Sequence, residues 1–109
     1  MVAPTAPPAA CYQATIEHEP VEVLVTDDGV LVDGLPAPEC IQVPESFAMT
    51  FINNAEGDAT IGFGDGGAVL AAGDSETSDP LGEMFFVGDH FQISVAELGA
   101  VIDVEVIAA

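Results

Sequence analysis

The chain has 109 residues, with 19 Asp or Glu and no Lys or Arg, which gives a formal net charge of −19 at pH 7. A protein without cationic side chains has no lysine or arginine to hold a phosphate group and no basic groove for nucleic acid. Anionic membrane surfaces would repel it. Hydrophobic residues make up 50% and the mean hydropathy is +0.45, opposite to the signature of acidic disordered tails, so we expect one folded domain.

The missing cations also predict the medium in which the protein works. Apart from the amino terminus, only His18 and His90 can carry positive charge, so repulsion among the carboxylates needs screening by dissolved ions. The Debye length falls from about 8 Å at physiological ionic strength to about 3 Å in molar salt. The composition resembles that of proteins from haloarchaea and their viruses, and we expect a halophilic setting. The alternative is an acidic surface that keeps the protein soluble or faces a cationic partner.

Residues 1–11 form a Pro/Ala-rich segment without charge or periodicity, whereas residues 12–109 carry strand and turn signals. We expect an extended N-terminal arm, docked on a neighbouring subunit or on its own domain, followed by a single β-sandwich domain. The segment lacks the charged and apolar regions of a signal peptide. No apolar run approaches the roughly 20 residues of a membrane helix, so no membrane insertion is expected.

The chain has two cysteines, Cys11 and Cys40. A disulfide between them would close a loop of about 30 residues and contribute roughly 3 to 4 kcal/mol by the chain-entropy estimate. Two separate buried thiols are the commoner arrangement inside a cell. Both alternatives stay open, with a disulfide favoured for a protein that matures outside the cell.

The strongest local prediction is a β-hairpin at residues 21–34, because two runs rich in Val and Leu flank the Asp-Asp-Gly turn at 27–29. The next apolar run, 47–52, is followed by a turn-rich stretch and another run at 59–63. This order predicts a second hairpin. The glycine-rich stretch and the loop that follow, up to Pro80, interrupt the chain too often for a long helix.

The C-terminal third predicts three more strands. Residues 84–87 form a short apolar run, and the segments 90–95 and 101–107 alternate between apolar and polar residues. This alternation places on the inner face Phe91, Ile93, Val95, Ile102, Val104 and Val106. Only 95–98 is a helix candidate, and it is short. Many short strands separated by turns predict an all-β fold, an antiparallel β-sandwich of the Ig-like or cupredoxin-like type.

The order of landmarks between residues 44 and 107 resembles the cupredoxin sandwich of blue-copper proteins. These landmarks are the segments 49–54, 85–88, 90–94 and 101–106 and the loop at Gly73. The resemblance implies a sandwich fold. A blue-copper site needs two imidazoles and a thiolate. Where the family's pattern would place the thiolate this chain has Ser94, and the neighbourhood of Thr60 lacks the imidazole. We therefore expect no copper and no electron transfer.

Few residues suggest other chemistry. His18 and His90 each have adjacent carboxylates, but neither belongs to a nucleophile motif, so we expect no catalytic residues, no enzyme activity and no cofactor. The acidic segments 53–58 and 74–79 could offer oxygen ligands to calcium, although neither has EF-hand spacing. A zinc site from the two histidines has no supporting spacing. Metal ligation stays undecided at this point.

The apolar surplus predicts protein contacts, because a domain of this size buries only about two thirds of its unfolded surface. We expect a non-enzymatic structural protein that forms homo-oligomers or joins a larger assembly such as a capsid. The predicted role is a decoration, cement or turret subunit of a virus of a halophilic host, located on the virion surface or outside the cell. The alternative is a cell-surface or secreted β-sandwich binding module, with calcium-dependent binding as one form.

Overall fold

The computed structural model describes residues 11–109, so the predicted arm lies outside the described residues except for Cys11. The strands, in chain order, are β1 (Tyr12–Gln13), β2 (Val21–Thr26), β3 (Gly29–Val32), β4 (Leu35–Pro36), β5 (Cys40–Pro44), β6 (Met49–Asn53), β7 (Ala59–Phe63), β8 (Gly66–Leu70), β9 (Ser75–Thr77), β10 (His90–Val95) and β11 (Ala100–Ile107). Short 3-10 helices lie at Ile16–His18, Leu81–Glu83 and Ala96–Leu98. No helix in residues 11–109 is long and apolar enough to cross a membrane.

The strands form two stacked sheets, which confirms the predicted all-β sandwich. The six-stranded sheet has the order β1-β5-β11-β10-β7-β8 and the five-stranded sheet has the order β4-β3-β2-β6-β9. Both sheets are mixed rather than purely antiparallel, since β1 with β5, β5 with β11 and β2 with β6 run parallel. The chain crosses to the other sheet between the members of each of these pairs, which allows it to return in the same direction.

The hairpin predicted at 21–34 is present. Strands β2 and β3 pair from Val23 with Val32 to Thr26 with Gly29, which leaves Asp27 and Asp28 as the turn. The Thr26 hydroxyl donates to the Gly29 carbonyl and accepts the Gly29 amide. These bonds satisfy backbone groups that the tight turn would otherwise leave unpaired.

The second predicted hairpin is wrong. Strand β6 pairs with β2 and β9 in one sheet, whereas β7 pairs with β8 and β10 in the other. The turn between them carries the chain across the sandwich. Alternating burial is the same for a strand that folds back beside its neighbour and for one that crosses to the facing sheet, so periodicity did not distinguish the two.

The prediction of a strand at residues 84–87 is also wrong. The Phe85 amide donates to the carbonyl of Leu81, and the Phe86 amide donates to the side chain of Asp89. These local bonds occupy the amides that a strand would offer to a neighbour. The segment is a turn and loop between the second 3-10 helix and β10.

One hydrophobic core fills the space between the sheets. The two C-terminal strands contribute their alternate residues as predicted, and the buried side chains there are Phe91, Ile93, Val95, Ile102, Val104 and Val106. The facing sheet contributes the inner residues of β2 and β6, including Val21, Val23, Val25, Met49 and Phe51. No buried side-chain nitrogen or oxygen in the described part of the chain lacks a hydrogen-bond partner.

The sandwich has two distinct ends. We call the upper end the one at which β2, β6 and β10 finish, and the lower end the one at which they begin. At the lower end, the Leu81 amide donates to the Phe47 carbonyl and the Glu45 amide donates to the Ile107 carbonyl. Backbone bonds therefore join the loops of both sheets at this end.

Asn53 links the two sheets at the upper end and is fully buried. Its side-chain amide nitrogen donates to the carbonyls of Gly57 and Leu70, both at 2.8 Å, and its amide oxygen accepts the Ala55 N–H at 3.0 Å. Because Asn53 ends β6 and Leu70 ends β8, this side chain holds the crossing turn against both sheets. Every polar atom of this buried amide group is thus engaged.

Cys11 and Cys40 form a disulfide, which resolves the alternative left open by the sequence. It attaches the segment before β1 to the start of β5. Next to it, the Tyr12 hydroxyl donates to the Asp33 carboxylate at 2.6 Å, and Asp33 also accepts the Glu22 amide. Burial, together with this hydrogen bond, raises the pKa of Tyr12 to about 12. The N-terminal edge strand is therefore attached to both sheets.

Replacing both cysteines by serine should lower the free energy of unfolding by roughly 3 kcal/mol, because the unfolded chain regains the freedom of a loop of about 30 residues. Urea denaturation with and without a reducing agent measures this difference. Reduction should destabilise the wild type and leave the Cys11→Ser, Cys40→Ser variant unchanged. A wild type indifferent to reduction would contradict a stabilising role for the disulfide.

The variant Asn53→Ala should lose about 2 to 3 kcal/mol of unfolding free energy, because buried carbonyl and amide groups are left without partners. Asn54→Ala is the matched control, since Asn54 is exposed and no side-chain hydrogen bond is found for it. That control should change stability by less than about 0.5 kcal/mol. Equal losses of unfolding free energy for the two substitutions in urea denaturation would show that the hydrogen bonds of Asn53 do not stabilise the fold.

Candidate functional site

A cleft of about 290 Å³ opens between the two sheets where their edge strands β8 and β9 face each other. Its floor and walls are mostly apolar, and Glu76 and Asp79 lie at its rim. The lining residues are Phe51, Ile61, Phe63, Gly67, Ala68, Leu70, Glu76, Thr77, Ser78, Asp79 and Met84. The cleft therefore combines an aromatic interior with negative charge at the entrance.

Aromatic rings continue from the floor of the cleft into the core. The rings of Phe51 and Phe63 meet edge to face with centroids 5.6 Å apart. Phe63 also packs on Phe91 at 4.8 Å, and Phe91 stacks on Phe85 at 4.2 Å. Such pairs are worth about 0.5 to 1.5 kcal/mol beyond the area that they bury. The cleft floor is thus part of a packed cluster.

The walls leave room above this floor because one of them carries small residues. Gly67 lies in β8 opposite Gly62. A Cβ atom at Gly67 would overlap the carbonyl oxygen of Ile61, so the backbone approach there admits only glycine. On the inner face, Ile61 is opposite Ala68 and Phe63 is opposite Gly66, so small residues leave space beside Phe63.

The register of β9 sets the position of Glu76. It pairs with Phe51 of β6, so both side chains lie on the inner face of the five-stranded sheet. Ser78 fixes the adjoining rim, because its hydroxyl accepts the Met49 amide at 3.0 Å and donates to the Asp79 carbonyl at 2.9 Å. Sequence reasoning missed this cleft, since every residue of β9 is exposed and carries no apolar alternation.

The upper end contains the positions that the cupredoxin pattern would use for metal ligands. Ser94 lies in β10 beside Gly62, while Thr60 is the exposed second residue of β7. The Thr60 amide and hydroxyl both donate to the carboxylate of Glu97 at 2.7 Å. These hydrogen bonds lower the pKa of Glu97. Glu97 therefore tethers the Ala96–Leu98 turn to β7.

The two segments considered for calcium do not gather ligands. The Asn53 side chain is buried and bound to protein groups, and residues 75–77 form β9 rather than a loop. Within residues 11–109 no group of three or more His, Cys, Asp or Glu side chains is arranged to hold a metal ion. The side chain of His18 lies outside what the structure describes, so a zinc pair with His90 stays a prediction.

His90 lies on the outer face of the six-stranded sheet between two carboxylates. Its Nδ1 is 3.0 Å from Asp103 Oδ2 and its Nε2 is 3.8 Å from Glu105 Oε2. The hydrogen bond to Asp103, and then the charges of Asp103, Glu105 and Asp89, raise the pKa of His90 above its ordinary value of 6.5. When His90 is protonated, its contacts with Asp103 and Glu105 are ion pairs.

The lower end displays apolar side chains to solvent. Phe86 is 83% exposed, and Val87 and Met84 in the same loop and Ile16 before β2 are also exposed. The loop is firmly held, because the Asp89 carboxylate accepts the Phe86 amide at 2.9 Å and the Gly88 amide donates to Val106. We call Ile16, Met84, Phe86 and Val87 the lower apolar end.

The raised pKa of His90 predicts a pH-dependent contribution to stability. Since the pKa is higher in the folded than in the unfolded protein, the stabilisation is fully present below about pH 6.5 and is lost as the pH rises through the folded value. Asp103→Asn should lower the pKa of His90, measured by NMR titration of its ring protons. An unchanged pKa in that variant would show that the pair does not form in solution.

Comparisons with known proteins identify a similar fold and no close relative. No protein-family model and no curated sequence matches the chain. A purple cupredoxin from Nitrosopumilus maritimus is similar in structure, with a TM-score of 0.53 and 14% identity over 78% of this chain and 97% of that one. A copper-containing nitrite reductase from Thermus scotoductus gives a TM-score of 0.49 and 15% identity, over 83% of this chain and 23% of its own.

The residues of this chain do not fit a blue-copper site. Its two cysteines are bonded to each other, so neither supplies a thiolate. Ser94 and Thr60 offer hydroxyls where the family's pattern has sulfur and imidazole. His90 is the first residue of β10, whereas Ser94 is near its end, so the imidazole of His90 lies away from Ser94. The likeness extends to architecture and not to the donor atoms, and the chain has a cupredoxin-like β-sandwich fold.

Proposed function

We propose that this chain is a non-enzymatic assembly protein that packs against copies of itself through its lower apolar end. The exposed Phe86 carries this proposal, because a rigid turn presents its ring to water. Fully burying a phenylalanine side chain is worth about 1.5 to 3 kcal/mol. Phenylalanine is also enriched at the buried centres of protein interfaces.

The surroundings of the lower apolar end support an interface rather than an isolated surface residue. Glu83 and Asp89 flank the apolar side chains, and both are exposed. An apolar centre with a polar rim is the usual pattern of a protein contact. Two copies meeting here would bring like charges together at the rim, so association should need screening by salt.

The surroundings of His90 and the state of the cysteines favour a role without catalysis. His90 contacts only carboxylates, and no serine or cysteine nucleophile is among its hydrogen-bond partners. The cysteines are oxidised to a disulfide, which is compatible with an extracellular location. A decoration, cement or turret protein on the capsid of a halophilic virus is the setting we favour for such a module. A cell-surface or secreted binding module is the alternative setting.

Sedimentation velocity at about 0.15 M and about 2 M NaCl tests self-assembly under weak and strong charge screening. The wild type should form oligomers at the higher salt concentration. Phe86→Ser should weaken association about tenfold or more, which corresponds to the loss of a buried ring. Leu35→Ser is the matched control, because Leu35 is an exposed side chain on β4.

A wild type that remains monomeric at every salt concentration would overturn self-assembly as the function. Equal weakening by the Phe86 and Leu35 substitutions would overturn the assignment to the lower apolar end. Removal of residues 1–10 tests the predicted arm separately. Cys11 joins the start of β5, where Cys40 pairs with Asp103 in the middle of β11.

A further inference from the structure

The cleft between β8 and β9 shares only Met84 with the lower apolar end and has its own chemistry. Phe51 and Phe63 line its interior, and Glu76 and Asp79 are the acidic residues that line it. Its volume of about 290 Å³ is close to the lower limit of about 300 Å³ for small-molecule sites. An occupant would therefore be small, about the size of a substituted benzene ring.

No ion pair to Glu76 or Asp79 is found among the described residues. The chain contains no Lys or Arg, and His90 is bound to Asp103 on the outer face of the six-stranded sheet. A second copy of this chain would bring more carboxylates. The positive charge that complements Glu76 and Asp79 can therefore be supplied by a dissolved cation or by a cationic ligand.

The aromatic floor favours the same kind of molecule. A cation near the face of a phenylalanine ring is attracted by the quadrupole of the ring, and the apolar part of an organic cation gains from burial against it. The register of β9 places Glu76 on the same face of the sheet as Phe51. A ligand lying on the floor can thus place an ammonium group near that carboxylate.

The rim is also held in place before any ligand arrives. Ser78 bonds to Met49 through both its amide and its hydroxyl, and the hydroxyl donates to the carbonyl of Asp79. Thr77 bonds side chain to side chain with Thr50. These contacts fix the backbone that carries Glu76 and Asp79, which lowers the ordering cost of binding. Met84, on the open side, supplies an adaptable wall.

We propose that this cleft binds a small organic cation, an ammonium group carried on an apolar or aromatic body. The carboxylates of Glu76 and Asp79 select the charge, and the floor of Phe51 and Phe63 accepts the body. A neutral molecule of the same shape gains only the apolar contact, and an anion is repelled. This assignment does not depend on self-assembly, since the lower apolar end contributes only Met84 to the cleft.

The experiment uses 2-phenylethylammonium as the probe, with 2-phenylethanol and 3-phenylpropionate as neutral and anionic controls of similar shape. Binding is followed by amide chemical shifts of the full chain carrying Phe86→Ser, which keeps the protein monomeric if the proposed assembly is correct. The cation should bind about five- to tenfold more tightly than the alcohol, a preference typical of exposed charge and cation–π contacts. Shifts should concentrate in residues 61–70 and 76–79.

Two substitutions distinguish the cleft from the general acidity of the protein. Glu76→Gln should remove most of the preference for the cation, whereas Glu39→Gln, an exposed carboxylate beside β5, should keep it. Asp79→Asn gives a second variant at the rim. The preference should also shrink in molar salt as the charges are screened.

Equal affinities for the cation and the alcohol would overturn the proposal, and so would shifts spread over the whole acidic surface. Absence of any shift in the cleft would also overturn it, and would indicate that Glu76 only prevents pairing at an edge strand. None of these outcomes bears on the assembly of the wild type, which sedimentation measures separately.

Discussion

Repulsion among carboxylates is the constraint on which the rest of this structure depends. With 19 acidic residues and no Lys or Arg, attraction between charged side chains requires a protonated histidine. The fold instead uses carboxylates as acceptors for backbone amides: Asp27 accepts the amide of Glu56, Asp33 that of Glu22, Asp89 that of Phe86 and Glu97 that of Thr60. Each of these bonds secures a turn or the edge of a strand. The acidic residues therefore organise loops while the apolar core, the Asn53 network and the disulfide hold the sheets together.

The sequence predicted the sandwich because alternation of apolar residues directly reflects burial on one face of a strand. It predicted the hairpin at 21–34 because an Asp-Asp-Gly turn leaves few other ways for the chain to continue. It failed at β6 and β7, where the same alternation serves two facing sheets, and at 84–87, where an apolar run belongs to an exposed loop. Pairing partners and exposure depend on contacts between distant segments, which periodicity does not encode.

For the candidate sites, too, some features could be predicted from residue types, whereas others depend on contacts between distant segments. The mismatch with a blue-copper donor set follows from residue types, since Ser94 and Thr60 carry hydroxyls rather than a thiolate and an imidazole. The cleft could not be predicted, because it is formed by the edges of different sheets and places Glu76 over Phe51 through strand register alone. Its chemistry and that of the lower apolar end are complementary consequences of the charge. We propose that the cleft attracts molecules of opposite charge and that the lower apolar end joins like-charged copies only where salt is plentiful.

The most direct test of this account is the thermal midpoint of unfolding of the monomeric Phe86→Ser variant as a function of NaCl concentration at constant pH. Removing assembly from the measurement leaves the repulsion within one molecule. We expect the midpoint to rise by roughly 10 °C or more between nearly salt-free buffer and molar salt, equivalent to about 2 kcal/mol for a domain of this size, and to level off once the Debye length is about 3 Å. A midpoint that is high in nearly salt-free buffer and does not change with salt would contradict the central role of charge repulsion.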